Sequence, residues 1–259
     1  MTLVETIFRL QQEALEIRPP WETDLLPAVG GLPGPAFFPE GFGLSSSALH
    51  QDNWPTVMVI GHNFGCAEYR TEIQRAGRED DKATWRNLDA LLLQAGSSPA
   101  RCFRTNWFIG LLPGSKQTGR FLRKPDHDYE QACRTLLIKQ IQEIQPIAIF
   151  LLGPEVAGRT HRLIPALAPW RDAKRWIDID RSSIGHSARE VDVPDANLRT
   201  NVAALLHPSF GAANQSRRMK NMRVPTTEAE IIRTMLESLA CRVVQRPHYR
   251  RPGRSFPGV

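Results

Sequence analysis

The chain has 259 residues, 41% of them hydrophobic and 8% aromatic, a length and composition that fit one α/β domain with a sizeable core. Its 33 Lys and Arg against 27 Asp and Glu leave a formal charge of +6, which favours polyanions without singling one out. No stretch is long and apolar enough to cross a bilayer, and Cys66, Cys102, Cys133 and Cys241 are scattered without a Cys-x-x-Cys, which excludes a zinc ribbon and a secreted disulfide framework.

An opening helix is predicted to about Ile17, because Thr2-x-x-Glu5 has capping-box spacing and Val4, Ile7, Phe8 and Leu15 follow at helical intervals. Acidic Glu5 in this amphipathic start stands where a signal peptide would be basic and then apolar, so a cytoplasmic chain away from membranes is expected. Pro19-Pro20 stops the helix. Residues 19–55 are rich in Pro and Gly, too broken for regular elements, and read equally well as a functional loop or a surface strap.

From there apolar runs alternate with amphipathic ones: strand 56–60, helix 84–94, strand 102–109, helix 128–144, strand 147–152, and a helix opened by Pro154 after Gly153. This alternation implies parallel strands with helical crossovers. Residues 175–180 and 201–206 read as further strands, and Thr227-x-x-Glu230 opens a last helix with Ile231, Met235 and Leu239 on one face. One domain over residues 1–245 follows. Residues 246–259, with Arg250, Arg251 and Arg254 among prolines and glycines, form a basic tail expected to be disordered.

In such a sheet functional groups gather at the carboxyl ends of strands, here after Ile60, around Thr105-Asn106, after Leu152 and after Leu206. Two of these places carry Gly61-His62-Asn63-Phe64-Gly65 and His207-Pro208-Ser209-Phe210. The pair resembles the first and second motifs of the uracil-DNA glycosylase superfamily. Thr105-Asn106, Glu130-x-x-Cys133, Gln145-Pro146 and Leu152-Gly153 resemble intervening signals of that superfamily in the same order, so the likeness spans residues 57–219. It implies a three-layer α/β/α sandwich around a mostly parallel, four-stranded sheet, acting as a monomer on DNA.

The resemblance also implies roles. Hydrolysis of an N-glycosidic bond passes through an oxocarbenium-like sugar and a departing base that carries negative charge, so the enzyme must stabilise charge and hold a water. Asn63 falls at the water-orienting position, where an amide places a water without taking its proton. His207 falls where a short donor to the pyrimidine oxygen gains strength as charge develops. Asn106, with donor and acceptor on one amide, is the candidate reader of the base edge. His62 lies beside the pyrimidine, and Phe64 or Tyr69 stacks on the everted ring. Ser209, Phe210 and Gly211 would grip phosphates and wedge the stack, and Arg217 and Arg218, with Lys220, would contact the DNA backbone.

Departures from the pattern shape the expected substrate. The likeness of Glu130-x-x-Cys133 is greatest to a branch that binds a four-iron cluster, but the N-terminal cysteine pair is absent and Gly110 stands at another ligand position, so no cofactor and no metal are expected. Phe64 replaces a proline, and His62 alters the floor beside the base. Uracil specificity therefore does not transfer directly, and a modified cytosine of phage DNA enters as a substrate. No lysine occupies a motif position, so a monofunctional enzyme leaving an abasic site is expected. Two alternatives stand beside it: a non-catalytic DNA sensor on the same fold with Phe64 blocking the pocket, and a metal-dependent phosphodiesterase using Asp178, Asp180 and His186.

Overall fold

The computed structural model describes residues 2–20, 36–37, 41–45, 48, 54–76, 83–112, 115, 121–122, 125–209 and 212–243. Its helices are α1 (Leu3–Leu15), α2 (Ala67–Ala76), α3 (Ala83–Gln94), α4 (His127–Ile144), α5 (Pro154–Thr160), α6 (Trp176–Asp180), α7 (Ala212–Asn221) and α8 (Glu228–Val243). The strands are β1 (Val57–Gly61), β2 (Cys102–Asn106), β3 (Ala148–Leu152), β4 (Ser187–Val193) and β5 (Leu198–Leu205). They form one sheet in the order β2-β1-β3-β5-β4, parallel throughout except for β4, which runs against β5.

Continuous apolar runs make these central strands, because a parallel strand crossed by helices is buried on both faces. Side-chain alternation then divides the core. Met58, Ile60, Ile149, Leu151, Val202 and Ala204 share one cluster with Ile7 and Leu10 of α1 and Leu136, Leu137 and Ile141 of α4. Val57, Val59, Phe150, Ala203 and Leu205 face the other, with Leu88 and Leu92 of α3 and Ile231, Ile232 and Met235 of α8. Helices thus cover both faces of the sheet. Among the described residues no helix is long and apolar enough to cross a membrane.

The caps expected from the sequence form. Thr2 Oγ1 accepts the Glu5 N–H at 3.2 Å while Glu5 Oε2 accepts the Thr2 N–H at 2.6 Å, and Thr227 and Glu230 repeat the exchange at 3.2 and 2.7 Å.

Three expectations change. The sheet has five strands, not four, because β4 adds an antiparallel edge. Charged Arg189, Glu190 and Asp192 obscure it in the sequence, and a bulge at Glu190 (φ 49°), whose N–H donates to Asn201 Oδ1 at 2.9 Å, breaks its alternation. Residues 175–180 were expected as a strand but form α6. Asp178 Oδ2 accepts the Arg175 N–H at 3.0 Å, and its other oxygen accepts from the Arg175 guanidinium at 2.9 Å, so Asp178 caps this helix rather than marking an exposed strand face. Helices α2 and α7 were not anticipated, since both are polar on most positions.

The Pro/Gly-rich stretch acts as a strap where it is described. Ala36, Phe37, Phe42, Leu44 and Ala48 are buried. The Phe37 N–H donates to the Arg104 carbonyl at 3.2 Å, and the Arg104 N–H donates to the Gly43 carbonyl at 2.7 Å, so this segment covers the outer edge of β2. Gly43 (φ +69°) makes the approach possible, because a Cβ there would sit 2.8 Å from both Arg104 O and Phe103 Cε2. The remainder of residues 19–55 lies largely outside the described residues, and the basic tail 246–259 lies wholly outside them.

Candidate functional site

Because β1, β2, β3 and β5 are parallel, their carboxyl ends share one rim. The Gly61–Gly65 turn leaves β1 and the His207–Ser209 turn leaves β5, with only β3 between, a separation of about 10 Å at two strand spacings. Asn106 ends β2, the neighbour of β1, in register with Gly61. Its side chain lies over that glycine: a Cβ at Gly61 would meet Asn106 Oδ1 at 2.2 Å. Gly61→Ala is therefore expected to displace the Asn106 amide and cost about 1–3 kcal/mol, measured by urea unfolding; an unchanged midpoint would refute this contact.

Asn63 is held from both ends. Its Nδ2 donates to the Gly65 carbonyl at 3.2 Å, and its Oδ1 lies 3.2 Å from His62 Nδ1. The Gly65 carbonyl can only accept, so it fixes which end of the amide faces His62. Gly65 itself takes φ +90°, and a Cβ there would press on the Tyr69 ring at 3.2 Å.

The His62 ring stands edge-on to Phe108 (5.3 Å between centroids) and to Phe121 (6.4 Å). Phe108 stacks on Phe121 at 4.8 Å, and Arg159 of α5 lies 4.9 Å from the centre of the Phe108 ring. His62 Nε2 lies 3.2 Å from Glu155 Oε1, within ion-pair distance but outside hydrogen-bond geometry. The His62 imidazole holds the Glu155 carboxyl down to about 2, with Arg159 adding to the effect from 3.1 Å. Gly153 (φ +103°) makes the turn from β3 that brings Glu155, in the first turn of α5, to this place.

On the other turn, the His207 Nδ1 lies 2.7 Å from Ser209 Oγ and accepts the Ser209 N–H at 3.3 Å. Two donors at Nδ1 place the ring hydrogen on Nε2. Burial pushes the imidazole below its ordinary value, so at neutral pH this is an uncharged ring with a donor at Nε2. The Pro208 carbonyl accepts from Asn87 Nδ2 of α3 at 2.8 Å, which anchors the turn to the helical layer.

The remaining expected residues divide. Phe64 is only 7% exposed and belongs to the main core cluster, while Tyr69 on α2 packs partly buried against it. Ser209 is exposed beside His207, and Arg217 is exposed on α7. Phe210 and Gly211 lie outside the described residues.

Arg218 corrects the expectation of a DNA-backbone contact. Its side chain is 1% exposed, 2.9 Å from Asp180 Oδ1 and 2.7 Å from Glu228 Oε1, and its guanidinium lies 4.0 Å from the centre of the Trp176 ring. It also donates to the Ala204 carbonyl at 3.0 Å, and Glu228 accepts the Leu206 N–H at 3.1 Å, so this cluster buttresses the end of β5 just before His207.

The metal alternative loses its donor set for the same reason. Asp178 serves Arg175 and Asp180 serves Arg218, and among the described residues no three His, Cys, Asp or Glu side chains gather as a metal ion requires. Cys133 is buried, accepts the Ile109 N–H at 3.5 Å, and is pushed up to about 11 by burial.

Sequence reasoning missed Phe108, Phe121, Glu155 and Arg159. Phe108 lies two residues beyond Asn106 and Glu155 two beyond Gly153, so proximity to strand ends was their available signal. No family model matches the chain, and no curated protein matches its sequence.

Proposed function

We propose that this protein is a monofunctional DNA glycosylase of the uracil-DNA glycosylase type, which everts a pyrimidine nucleotide, hydrolyses its N-glycosidic bond and leaves an abasic site. One observation carries the reading: the turns bearing Asn63 and His207 leave parallel strands at one rim, with Asn106 beside them. Asn63 orients the attacking water beneath the sugar. The Nε2–H of His207 meets the pyrimidine oxygen as negative charge develops, and a donor fixed in a desolvated place needs no reorganisation at that moment. Asn106 reads the base edge through its amide.

The substrate in this reading is a uracil-like base or a modified cytosine such as those of hypermodified phage DNA, which places the enzyme in repair or in defence against phage. Exposed Arg217, on the helix after the second turn, contributes to holding the DNA backbone. Incubation with DNA containing uracil, cytosine or hypermodified cytosines, in chelator, followed by mass identification of released bases, tests the proposal. A free base with an intact backbone at the abasic site is expected; strand cleavage that stops in chelator would overturn it in favour of a phosphodiesterase.

A further inference from the structure

A carboxylate, an imidazole and a carboxamide stand in series at the head of β1: Glu155 Oε1 is 3.2 Å from His62 Nε2, and His62 Nδ1 is 3.2 Å from Asn63 Oδ1. We propose that Glu155 is a positioning residue, which fixes the His62 ring so that His62 in turn locks the Asn63 carboxamide in its working orientation. This deepens the base-excision reading and rests on it for the role of Asn63.

Hydrogen-bond polarity supports the order of the chain. The Gly65 carbonyl takes the Asn63 amide hydrogens at 3.2 Å, so Oδ1 is the end that meets His62 and His62 Nδ1 must be the donor. The opposite ring nitrogen then faces a carboxylate, a second acceptor. Glu155 and Asn63 thus flank the ring at its two nitrogens, each at 3.2 Å, and together set its plane. Phe108 and Phe121, both edge-on to the ring, leave it little freedom to turn away.

Glu155 is itself held, since Arg159 Nη2 reaches the same Oε1 at 3.1 Å while Arg159 Nη1 binds Glu130 at 3.1 Å. A carboxamide cannot be a strong base, so its contribution depends on holding one orientation. A lock on that orientation acts on the rate more than on binding.

Two readouts on the full-length protein test this. In imidazole proton–nitrogen spectra, Glu155→Ala should shift the His62 ring resonances, because the ring loses the carboxylate that lies 3.2 Å from its Nε2. On whichever DNA the base-release panel identifies, Glu155→Ala should lower kcat about 10- to 100-fold with little change in KM, and Glu155→Gln, which keeps an oxygen acceptor at the same reach, should recover part of the loss.

Unchanged His62 resonances in Glu155→Ala, or a wild-type kcat, would overturn the proposal. If the wild-type protein releases no base from any DNA while the spectra respond as stated, the base-excision reading fails and the Glu155–His62–Asn63 series stands.

Discussion

Alanine at Asn63 or at His207 is expected to slow base release about 100-fold or more while leaving DNA affinity nearly unchanged. In the proposed reaction both groups would act on what appears only in the transition state: a water aligned for attack and an oxygen gaining charge. Their supports are independent, since Asn63 is braced by Gly65 and His62 on the β1 turn and His207 by Ser209 on the β5 turn. The double variant is therefore expected to show whether the two act in one step: losses smaller than the product of the singles would mark a shared transition state. Single-turnover release and equilibrium binding on the same DNA are the measurements. Near-normal rates in both single variants would remove these residues from the site.

The second large effect concerns stability. Arg218→Ala should cost about 3–5 kcal/mol in urea unfolding at neutral pH, because it leaves two carboxylates, at 0% and 4% side-chain exposure, without their cation. Burial already pushes the Glu228 carboxyl above its ordinary value even with Arg218 present. A carboxyl raised in the folded state favours folding below its unfolded value and loses that advantage as pH climbs through the folded one. Removing the arginine raises Glu228 further, so the deficit of the variant should be smaller near pH 5 than at pH 7. A deficit under 1 kcal/mol at neutral pH would mean that the cluster does not hold the end of β5. Arg217→Ala, one residue away but exposed, should change stability by less than about 0.5 kcal/mol.

The parallel core was legible because burial on both faces demands unbroken apolar runs, and Val57–Gly61 and Ala148–Leu152 consist of little else. The caps at Thr2 and Thr227 were legible because the spacing of Thr and Glu is itself the mechanism. Strand β4 was not, since one of its faces is wet and a bulge interrupts its period. Helix α6 was misread because Asp178 and Asp180 serve a cap and a buried arginine, and alternation does not distinguish those duties from an exposed strand face.

The candidate site divides in the same way. Asn63, Asn106 and His207 sit at strand ends, where topology alone brings them to one rim. Arg218 appeared as one more surface cation in a charged run, because the two carboxylates that bury it are distant in sequence. Glu155 and Phe108 gain their place from packing against His62, a contact that no local pattern records.

The segment lying along β2 has a further effect on how this molecule meets others. At Arg104 both the amide hydrogen and the carbonyl oxygen of the outermost strand are already engaged by Gly43 and Phe37. A foreign polypeptide searching for a ladder to extend finds that rung occupied, so self-templated growth into fibrils is blocked there at its first step. Shortening the segment to open the rim would remove this protection and leave that rung free to pair with another chain.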